Sequence, residues 1–164
     1  MSLTDKDSFC ELIRRNEKAM YAVALSVVGN DADAADVIGE AILRAYEKIY
    51  TLRDADAFKP WLLRIVRNTA VELVRKNSRV IYTEQHDGAY DSPESTLAIG
   101  LSLREAVKSL RQPYRTVIEL YYYENMSVRQ IAKITDTGEG AVKKQLSRAR
   151  KMLRELLKED FVNE

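Results

Sequence analysis

The strongest structural signal in this 164-residue chain is Ser127-Val128-Arg129-Gln130-Ile131-Ala132-Lys133-Ile134-Thr135-Asp136-Thr137-Gly138. Ser127 is a good N-cap for a short helix that has an apolar face and a small residue, Ala132, where a second helix can cross closely. Asp136-Thr137-Gly138 predicts a tight turn. The helix after it has apolar residues at helical spacing, namely Val142, Leu146, Ala149 and Leu153. These features together predict a helix-turn-helix.

The other face of the second helix carries side chains that donate hydrogen bonds: Lys143, Lys144, Gln145, Ser147, Arg148 and Lys151. Such donors can reach phosphates and base edges in a DNA major groove. A solvated basic face on an amphipathic helix is the alternative interpretation of any such run. The coincidence of the basic face with the turn favours DNA binding.

The N-terminal half of the chain shows helical periodicity and no strand-like alternation. One apolar stripe predicts a helix from Asp5 to Val28, and Asn30 or Asp31 can cap the next helix. A third helix has Pro60 near its first turn, where proline is tolerated. Trp61 could be a stacking platform for a base, but its place in the apolar stripe favours core packing. The sequence therefore predicts an all-α protein.

The predicted organisation is two small helical domains, 1–78 and 96–164, joined by a flexible linker at 79–95. The linker is polar and acidic and lacks a packing pattern. Helices are expected from about Glu94 to Leu110 and from Pro113 to about Glu124. His86 lies in the linker, where a solvated side chain is the expectation.

Charge is distributed unevenly, although the 26 basic and 25 acidic residues nearly cancel. Residues 51–79 contain seven basic and three acidic residues, and residues 111–158 contain eleven and five. Acidic segments flank both of these basic segments. Two separate surfaces of the protein are therefore expected to contact the phosphate backbone of a nucleic acid.

Other function classes find little support in the composition. A single cysteine and a single histidine offer neither a disulfide nor a zinc cluster, and we expect no metal and no cofactor. Cys10 lies beside the first apolar stripe, where a buried thiol is expected. No apolar run reaches membrane-spanning length and no secretory signal is recognised, which predicts a cytoplasmic protein without membrane insertion. No phosphate-binding loop or paired-carboxylate site indicates an enzyme or a small-molecule substrate.

Nearly the whole chain resembles the bacterial sigma factors of the extracytoplasmic-function (ECF) group. The C-terminal half resembles sigma region 4 through Leu110-Arg111-Gln112-Pro113-Tyr114-Arg115, Tyr121-Tyr122-Tyr123-Glu124-Asn125-Met126-Ser127 and Leu146-Ser147-Arg148-Ala149. The N-terminal half resembles sigma region 2 through Asp33-Ala34-Ala35-Asp36-Val37-Ile38-Gly39-Glu40-Ala41 and Phe58-Lys59-Pro60-Trp61-Leu62-Leu63-Arg64-Ile65-Val66-Arg67-Asn68. The order of the two halves adds to the specificity of each.

The resemblance implies a non-catalytic subunit that directs core RNA polymerase to promoter DNA and is held by an anti-sigma factor. It assigns the donors of the last helix, Lys143, Lys144, Gln145, Ser147, Arg148 and Lys151, to the −35 element. It assigns the third helix and the turn before it to opening of the −10 element, through Leu52, Arg53, Arg64, Arg67, Asn68, Arg75 and Lys76. It assigns the second helix to polymerase docking, through Asp33, Asp36, Val37, Glu40, Leu43 and Tyr46. Val37 fits core packing equally well.

Several positions depart from the family pattern: Gly39, Thr135, Asp136, Thr137 and Ala141. Asp136 stands where the family usually has glycine, which aspartate can replace because it tolerates left-handed backbone better than most residues. An alternative function also fits the helix-turn-helix: a two-domain regulator that binds duplex DNA as a dimer. The basic helix within 51–79 favours the sigma factor, because a sensory domain has no need for it.

Overall fold

The computed structural model describes residues 5–81 and 102–162, and within these ranges every regular element is helical. The all-α prediction is confirmed. The helices are α1 (Lys6–Arg15), α2 (Glu17–Val28), α3 (Asp31–Lys48), α4 (Phe58–Ile81), α5 (Leu103–Ser109), α6 (Tyr114–Ile118), α7 (Val128–Thr135) and α8 (Glu139–Val162). Most of the predicted linker at 79–95, with His86, and the predicted helix start at Glu94 lie outside the described residues. No helix in the described ranges has the length and apolarity needed to cross a membrane.

The first predicted helix is divided into two at Asn16. Sequence periodicity predicts one helix from Asp5 to Val28, but Asn16 has φ −109° and ψ 8°, outside the helical region. Its side-chain Nδ2 donates to the carbonyl of Leu12 at 2.8 Å. Asparagine competes in this way for backbone hydrogen bonds, which is why it interrupts a helix whose apolar stripe continues.

Cys10 is exposed, so the expectation of a buried thiol is wrong. The buried side of α1 consists of Phe9 and Ile13, which lie on one face at i, i+4 spacing. Cys10 is rotated by about 100° from Phe9, since a helix has 3.6 residues per turn, and this rotation takes its side chain to the solvent.

The turn between α2 and α3 forms as the sequence predicts. Gly29 ends α2 with φ 83°, a left-handed conformation that favours glycine. Asn30 caps α3, because its Oδ1 accepts a hydrogen bond from the backbone N–H of Asp33 at 2.9 Å. The cap fixes the direction of α3 relative to α2.

The N-terminal core lies between α2, α3 and α4. From α4 it receives Phe58, Leu62, Leu63 and Val66, which are all buried. Trp61 is half-buried and its ring lies 5.7 Å from that of Phe58. It therefore packs against the core, as its place in the stripe indicates.

In the C-terminal domain, Ser102 caps α5 in a reciprocal arrangement with Glu105. After α6 the chain makes a π-helical turn at Glu119–Tyr123. Glu119 on this turn is 4% exposed and accepts two hydrogen bonds from the guanidinium of Arg104, at 2.9 and 3.1 Å. The pair connects α5 to the element that precedes the helix-turn-helix.

The two domains are in contact where α2 packs on α6 and on the π-helical turn after it, and where α4 packs on α7. Ser26 and Thr116, both buried, face each other with their hydroxyl oxygens 3.0 Å apart. The carbonyl of Ser26 also accepts hydrogen bonds from the side chains of Gln112 and Arg115. Polar contacts therefore fix α6 against α2.

Candidate nucleic-acid interface

The helix-turn-helix consists of α7, a turn and α8. Ser127 Oγ accepts from the backbone N–H of Gln130 at 3.1 Å, and Gln130 Oε1 accepts from the N–H of Ser127 at 2.9 Å. This reciprocal cap fixes the start of α7. Asp136 ends α7 with φ 55° and ψ 46°, and the N–H of Thr137 donates to the carbonyl of Ala132 at 3.0 Å. The left-handed residue turns the chain into α8.

Helix α8 separates an apolar stripe from a basic face. Val142, Leu146, Ala149 and Leu153 are buried, as the periodicity predicts. The opposite face exposes Lys143, Lys144, Ser147, Arg148 and Lys151, while Gln145 is half-buried. Four of these five exposed side chains are cations, so α8 presents an open row of hydrogen-bond donors to the solvent.

Helix α4 carries the second predicted set, and its side chains are less accessible. Arg64, Arg75 and Lys76 are exposed, as is Arg53 in the preceding turn, whereas Leu52, Arg67 and Asn68 are half-buried. Arg67 Nη1 donates to Asn68 Oδ1 at 3.2 Å. Burial lowers the pKa of Arg67, although the carboxylate of Asp136 opposes this shift.

Two ion pairs join α4 to the C-terminal domain. Arg64 Nη2 lies 3.8 Å from Asp136 Oδ1, and Lys59 Nζ lies 3.0 Å from Glu124 Oε2. Glu124 precedes α7 and Asp136 follows it, so α7 is joined to α4 at both ends. A cleft of about 380 Å³ remains between the domains, lined by Arg64, Arg129 and Lys133 among others.

The residues assigned to polymerase docking lie on α3, and most of them are accessible. Asp36 and Glu40 are exposed, and Leu43 and Tyr46 are 62% and 47% exposed. Asp33 is half-buried and accepts a hydrogen bond from Asn30 Nδ2 at 2.9 Å. Val37 is 1% exposed, so its side chain belongs to the core and is not available for docking.

Comparison with known proteins agrees with this arrangement. The family model for Sigma-70 region 2 matches residues 12–80, and the model for Sigma-70 region 4 matches residues 100–153. The chain is 30% identical to the RNA polymerase sigma factor SigV of Bacillus subtilis, over 96% of both chains. It is 26% identical to the ECF sigma factor SigW of the same organism, over 94% of this chain and 91% of SigW.

The chain belongs to the ECF group of RNA polymerase sigma factors. The sigma factor RpoE of Bartonella quintana, solved in complex with the anti-sigma factor NepR, has a TM-score of 0.76. It is 26% identical and aligns over 94% of this chain and 98% of its own. CnrH, solved with the cytosolic domain of CnrY, shares the fold at a TM-score of 0.66. These matches support a sigma factor over a dimeric helix-turn-helix regulator.

The departures of this sigma factor from the family pattern leave the helix-turn-helix intact. Asp136 adopts the left-handed conformation for which glycine is usual. Thr135 is buried, but its hydroxyl donates to the carbonyl of Ile131 at 2.8 Å, which satisfies it within the helix. Ala141 is exposed at the start of α8, and a Cβ added at Gly39 would meet no atom within 4 Å. None of these positions therefore distorts the backbone of the sigma factor.

Two sets of exposed aromatic residues were missed by sequence reasoning. Tyr50 is 74% exposed one helical turn beyond Tyr46, and the spacing of Leu43, Tyr46 and Tyr50 could have indicated a continuous apolar stripe. In the C-terminal domain, Tyr122 is half-exposed and its hydroxyl accepts from Arg150 Nε at 2.6 Å. This bond connects α8 of the sigma factor to the π-helical turn.

Proposed function

We propose that this sigma factor gives core RNA polymerase its promoter specificity by placing two basic helix faces on two elements of one promoter. The observation that carries the proposal is the open basic face of α8, the second helix of a helix-turn-helix whose first helix, α7, has both of its caps formed. The proposed role is that of a cytoplasmic, non-catalytic subunit with no small-molecule substrate and no cofactor.

Helix α8 is proposed to lie in the major groove of the −35 element. The exposed lysines Lys143, Lys144 and Lys151 suit phosphate contacts, which give affinity that falls steeply with salt. Arg148 and Gln145 carry donors with the geometry to read base edges, and Ser147 can reach a phosphate or a base. We therefore assign sequence specificity for the −35 element to the middle of α8.

Helix α4 and the turn before it are proposed to open the −10 element. Each unstacked base costs a few kcal/mol, which the protein must return through contacts to the displaced strand. Arg64, Arg67, Asn68, Arg75 and Lys76 supply cations and donors along one helix, and Leu52 with Arg53 would form the wall of a base pocket.

Helix α3 is proposed to dock on core polymerase. Asp36 and Glu40 offer charge, and Leu43 and Tyr46 offer exposed apolar surface on the same helix. An isolated charged helix face needs no partner, but exposed large apolar side chains at helical spacing indicate a protein contact. Asp33 is proposed to take part mainly by holding Asn30, the N-cap of α3, from which its carboxylate accepts a hydrogen bond.

An anti-sigma factor is proposed as the further partner of this chain. RpoE of Bartonella quintana was solved in complex with the anti-sigma factor NepR, and this chain aligns with nearly all of RpoE. The exposed apolar residues of α3 are a suitable target, because a protein that covers them would compete with polymerase.

Run-off transcription tests the proposed function. Core polymerase with the full chain should produce selective transcripts from a library of promoter sequences, and core alone should not. Leu43→Ser should weaken co-purification with core about tenfold, as expected for a residue central to an interface. Lys48→Gln, an exposed change on the same helix, should leave it unchanged. No selective transcript with any bacterial core polymerase, or equal effects of the two substitutions, would overturn the proposal.

A further inference from the structure

Arg150 belongs to the basic run of α8 but is turned away from its open face. The residue is half-buried, whereas its neighbours Arg148 and Lys151 are exposed. At about 100° per residue, Arg150 lies about 40° around the helix from the buried Leu146 and about 60° from the exposed Ser147. Arg150 therefore lies on the boundary between the apolar stripe of α8 and its exposed donors.

The side chain of Arg150 binds two tyrosines of the π-helical turn at Glu119–Tyr123. Its Nε donates to the hydroxyl of Tyr122 at 2.6 Å. Its guanidinium carbon lies 5.5 Å from the ring centroid of Tyr121 and 5.7 Å from that of Tyr122, within the range of a cation–π contact. The two rings meet edge to face, with their centroids 4.9 Å apart. A hydrogen bond and an aromatic pair therefore hold the guanidinium group.

The turn that carries Tyr122 is fixed by its own contacts. Glu119 at its start is buried and accepts two hydrogen bonds from Arg104 on α5. The guanidinium carbon of Arg104 also lies 4.1 Å from the ring centroid of Tyr123. At the end of the turn, the backbone N–H of Glu124 donates to the carbonyl of Glu119 at 3.1 Å. Tyr122 is therefore presented to α8 from a turn that is held on both sides.

The bond between Arg150 and Tyr122 differs in kind from the apolar contacts of α8. The apolar stripe packs against the rest of the domain, and such packing has no preferred direction. Among the side chains of α8 that the structure describes, up to residue 158, no other one forms a hydrogen bond with a different element. The Arg150 bond is therefore the directional contact that resists rotation of α8 about its own axis.

The rotation of α8 matters because base readout depends on small distances. Side chains reach about 5 to 6 Å from the axis of a helix, so a rotation of about 10° moves their ends by about 1 Å. Hydrogen bonds to base edges form only within a distance range of about 0.5 Å. A lysine on a phosphate tolerates more movement, because its stem is flexible and its charge acts as a point. A small rotation should therefore reduce base discrimination more than overall affinity.

We infer that Arg150 is a positioning residue for promoter recognition, whose bond to Tyr122 fixes the rotation of α8 so that Arg148 and Gln145 meet the base edges of the −35 element. The inference rests on the proposed function, because it concerns how α8 reads that element. Arg150 itself contacts no phosphate in this arrangement. Its loss should reduce sequence discrimination and leave the number of phosphate contacts unchanged, an effect that a direct phosphate contact by Arg150 would not produce.

Four variants of the full chain test this role. Tyr122→Phe removes the acceptor and keeps the ring, and Tyr123→Phe removes a hydroxyl of the same turn that has no hydrogen bond to α8. Arg150→Gln and Lys151→Gln each remove one positive charge at adjacent positions of α8, and only Lys151 is assigned to a phosphate. Circular dichroism verifies that each variant is folded.

Fluorescence anisotropy measures the affinity of each variant for two duplexes at several salt concentrations. One duplex contains the −35 element of a promoter that the holoenzyme transcribes, and in the other this element is scrambled. Tyr122→Phe and Arg150→Gln should each lower the ratio of the two affinities about three- to tenfold, and combining them should lower it no further. Tyr123→Phe should leave the ratio unchanged.

The salt dependence separates positioning from phosphate contact. Lys151→Gln should weaken binding to both duplexes alike and reduce the slope of log affinity against log salt by about 0.9, the value for one phosphate. Arg150→Gln should keep the wild-type slope. A slope reduced by about 0.9 in Arg150→Gln would overturn the inference, and so would a wild-type ratio of affinities in both Arg150→Gln and Tyr122→Phe.

A measurement without DNA separates this inference from the proposed function. The ¹⁵N-detected Nε–H signal of Arg150 should be protected from exchange with water in the wild type and in Tyr123→Phe, and lost in Tyr122→Phe. A wild type without this protected signal would overturn the inference. A wild type that shows the signal but binds both duplexes equally would instead contradict the proposed function on which the inference rests.

Discussion

Helices α4 and α8 are equal in length and both are basic, but they differ in what lies over their basic faces. Each has 24 residues, and each buries an apolar stripe in the core of its own domain. The face of α8 is open, whereas α4 is joined to α7 through Arg64 and Lys59. The comparison shows that the exposure of a basic helix face depends on tertiary contacts and not only on the sequence of the helix itself.

The largest expected effects concern the buried stripes, where the two helices should behave alike. Leu62→Ala in α4 and Leu146→Ala in α8 remove fully or almost fully buried side chains. Each should lower the free energy of unfolding by about 3 kcal/mol, the middle of the range for leucine-to-alanine changes in cores. Urea denaturation followed by circular dichroism measures the loss.

The control for these substitutions is Leu43→Ala, since Leu43 is 62% exposed. Its effect on stability should stay within about 0.5 kcal/mol, as for most surface changes. A loss below about 1 kcal/mol for either buried leucine would show that the corresponding helix is not packed as described.

The loss of stability from breaking an ion pair should be larger in the C-terminal domain than in the N-terminal domain, because the carboxylate is more buried in the C-terminal pair. Arg104→Ala leaves the carboxylate of Glu119 buried without its partner and should cost about 2 kcal/mol. Arg44 pairs with Glu40 and Glu72, which are both more than half exposed, and Arg44→Ala should cost less than about 1 kcal/mol. Urea denaturation of the two variants in parallel measures the difference. Equal losses would contradict the assigned burial of Glu119.

Affinity for duplex DNA should distinguish the basic face of α8 from that of α4. In the free chain, Arg148→Ala should weaken binding to duplex containing the −35 element about tenfold, because a base-reading arginine contributes about 1 to 3 kcal/mol. Arg64→Ala should change this affinity by less than about twofold, since the −35 duplex is not its target. Fluorescence anisotropy over a series of salt concentrations measures both. Equal losses would indicate non-specific binding to the overall positive charge.

The smallest expected effect is a pH dependence that comes from Glu119. Burial raises the pKa of Glu119 above its usual 4.5, and the Arg104 guanidinium only partly offsets this. The folded state therefore holds the proton more tightly than the unfolded state. Stability from this group is present below pH 4.5 and falls as the pH rises through the raised pKa.

Glu119→Gln isolates this contribution from that of the other carboxyl groups. The difference in free energy of unfolding, wild type minus variant, should decrease as the pH rises from about 4 to 7. Urea denaturation at each pH provides the values. A difference that increases over this range would show that Arg104 lowers the pKa of Glu119 by more than burial raises it.

Local features of the fold could be predicted from the sequence because they depend on neighbouring residues. The caps at Asn30 and Ser127 form as predicted, and so does the buried stripe of α8, since each needs only the spacing of a few side chains. The break at Asn16 was missed because the apolar stripe continues through it. The π-helical turn at Glu119–Tyr123 was also missed, since helical periodicity does not distinguish it from an α-helix.

The candidate site was predictable in its residues but not in its accessibility. The donors of α8 and α4 follow from charge and helical spacing alone. The electrostatic environment of Arg67 includes the carboxylate of Asp136, which lies 69 positions away in the sequence and in the other domain. Contacts of this kind have no periodic signal within a single segment. The sequence of α3 also left open whether Val37 is exposed for docking or buried in the core. Only the packing of α3 in the folded protein decides this, and it buries Val37.

The most direct test of the account is site-specific crosslinking in the assembled holoenzyme. A photoreactive p-benzoylphenylalanine is placed at the position of Ser147 on α8 or of Arg64 on α4, one at a time, in the full chain with core polymerase and promoter DNA. We expect the position of Ser147 to crosslink to duplex at −35 and the position of Arg64 to crosslink to the non-template strand at −10. Crosslinks from both positions to the same segment of DNA, or none from α4 in a transcribing complex, would contradict the assignment of two helices to two promoter elements.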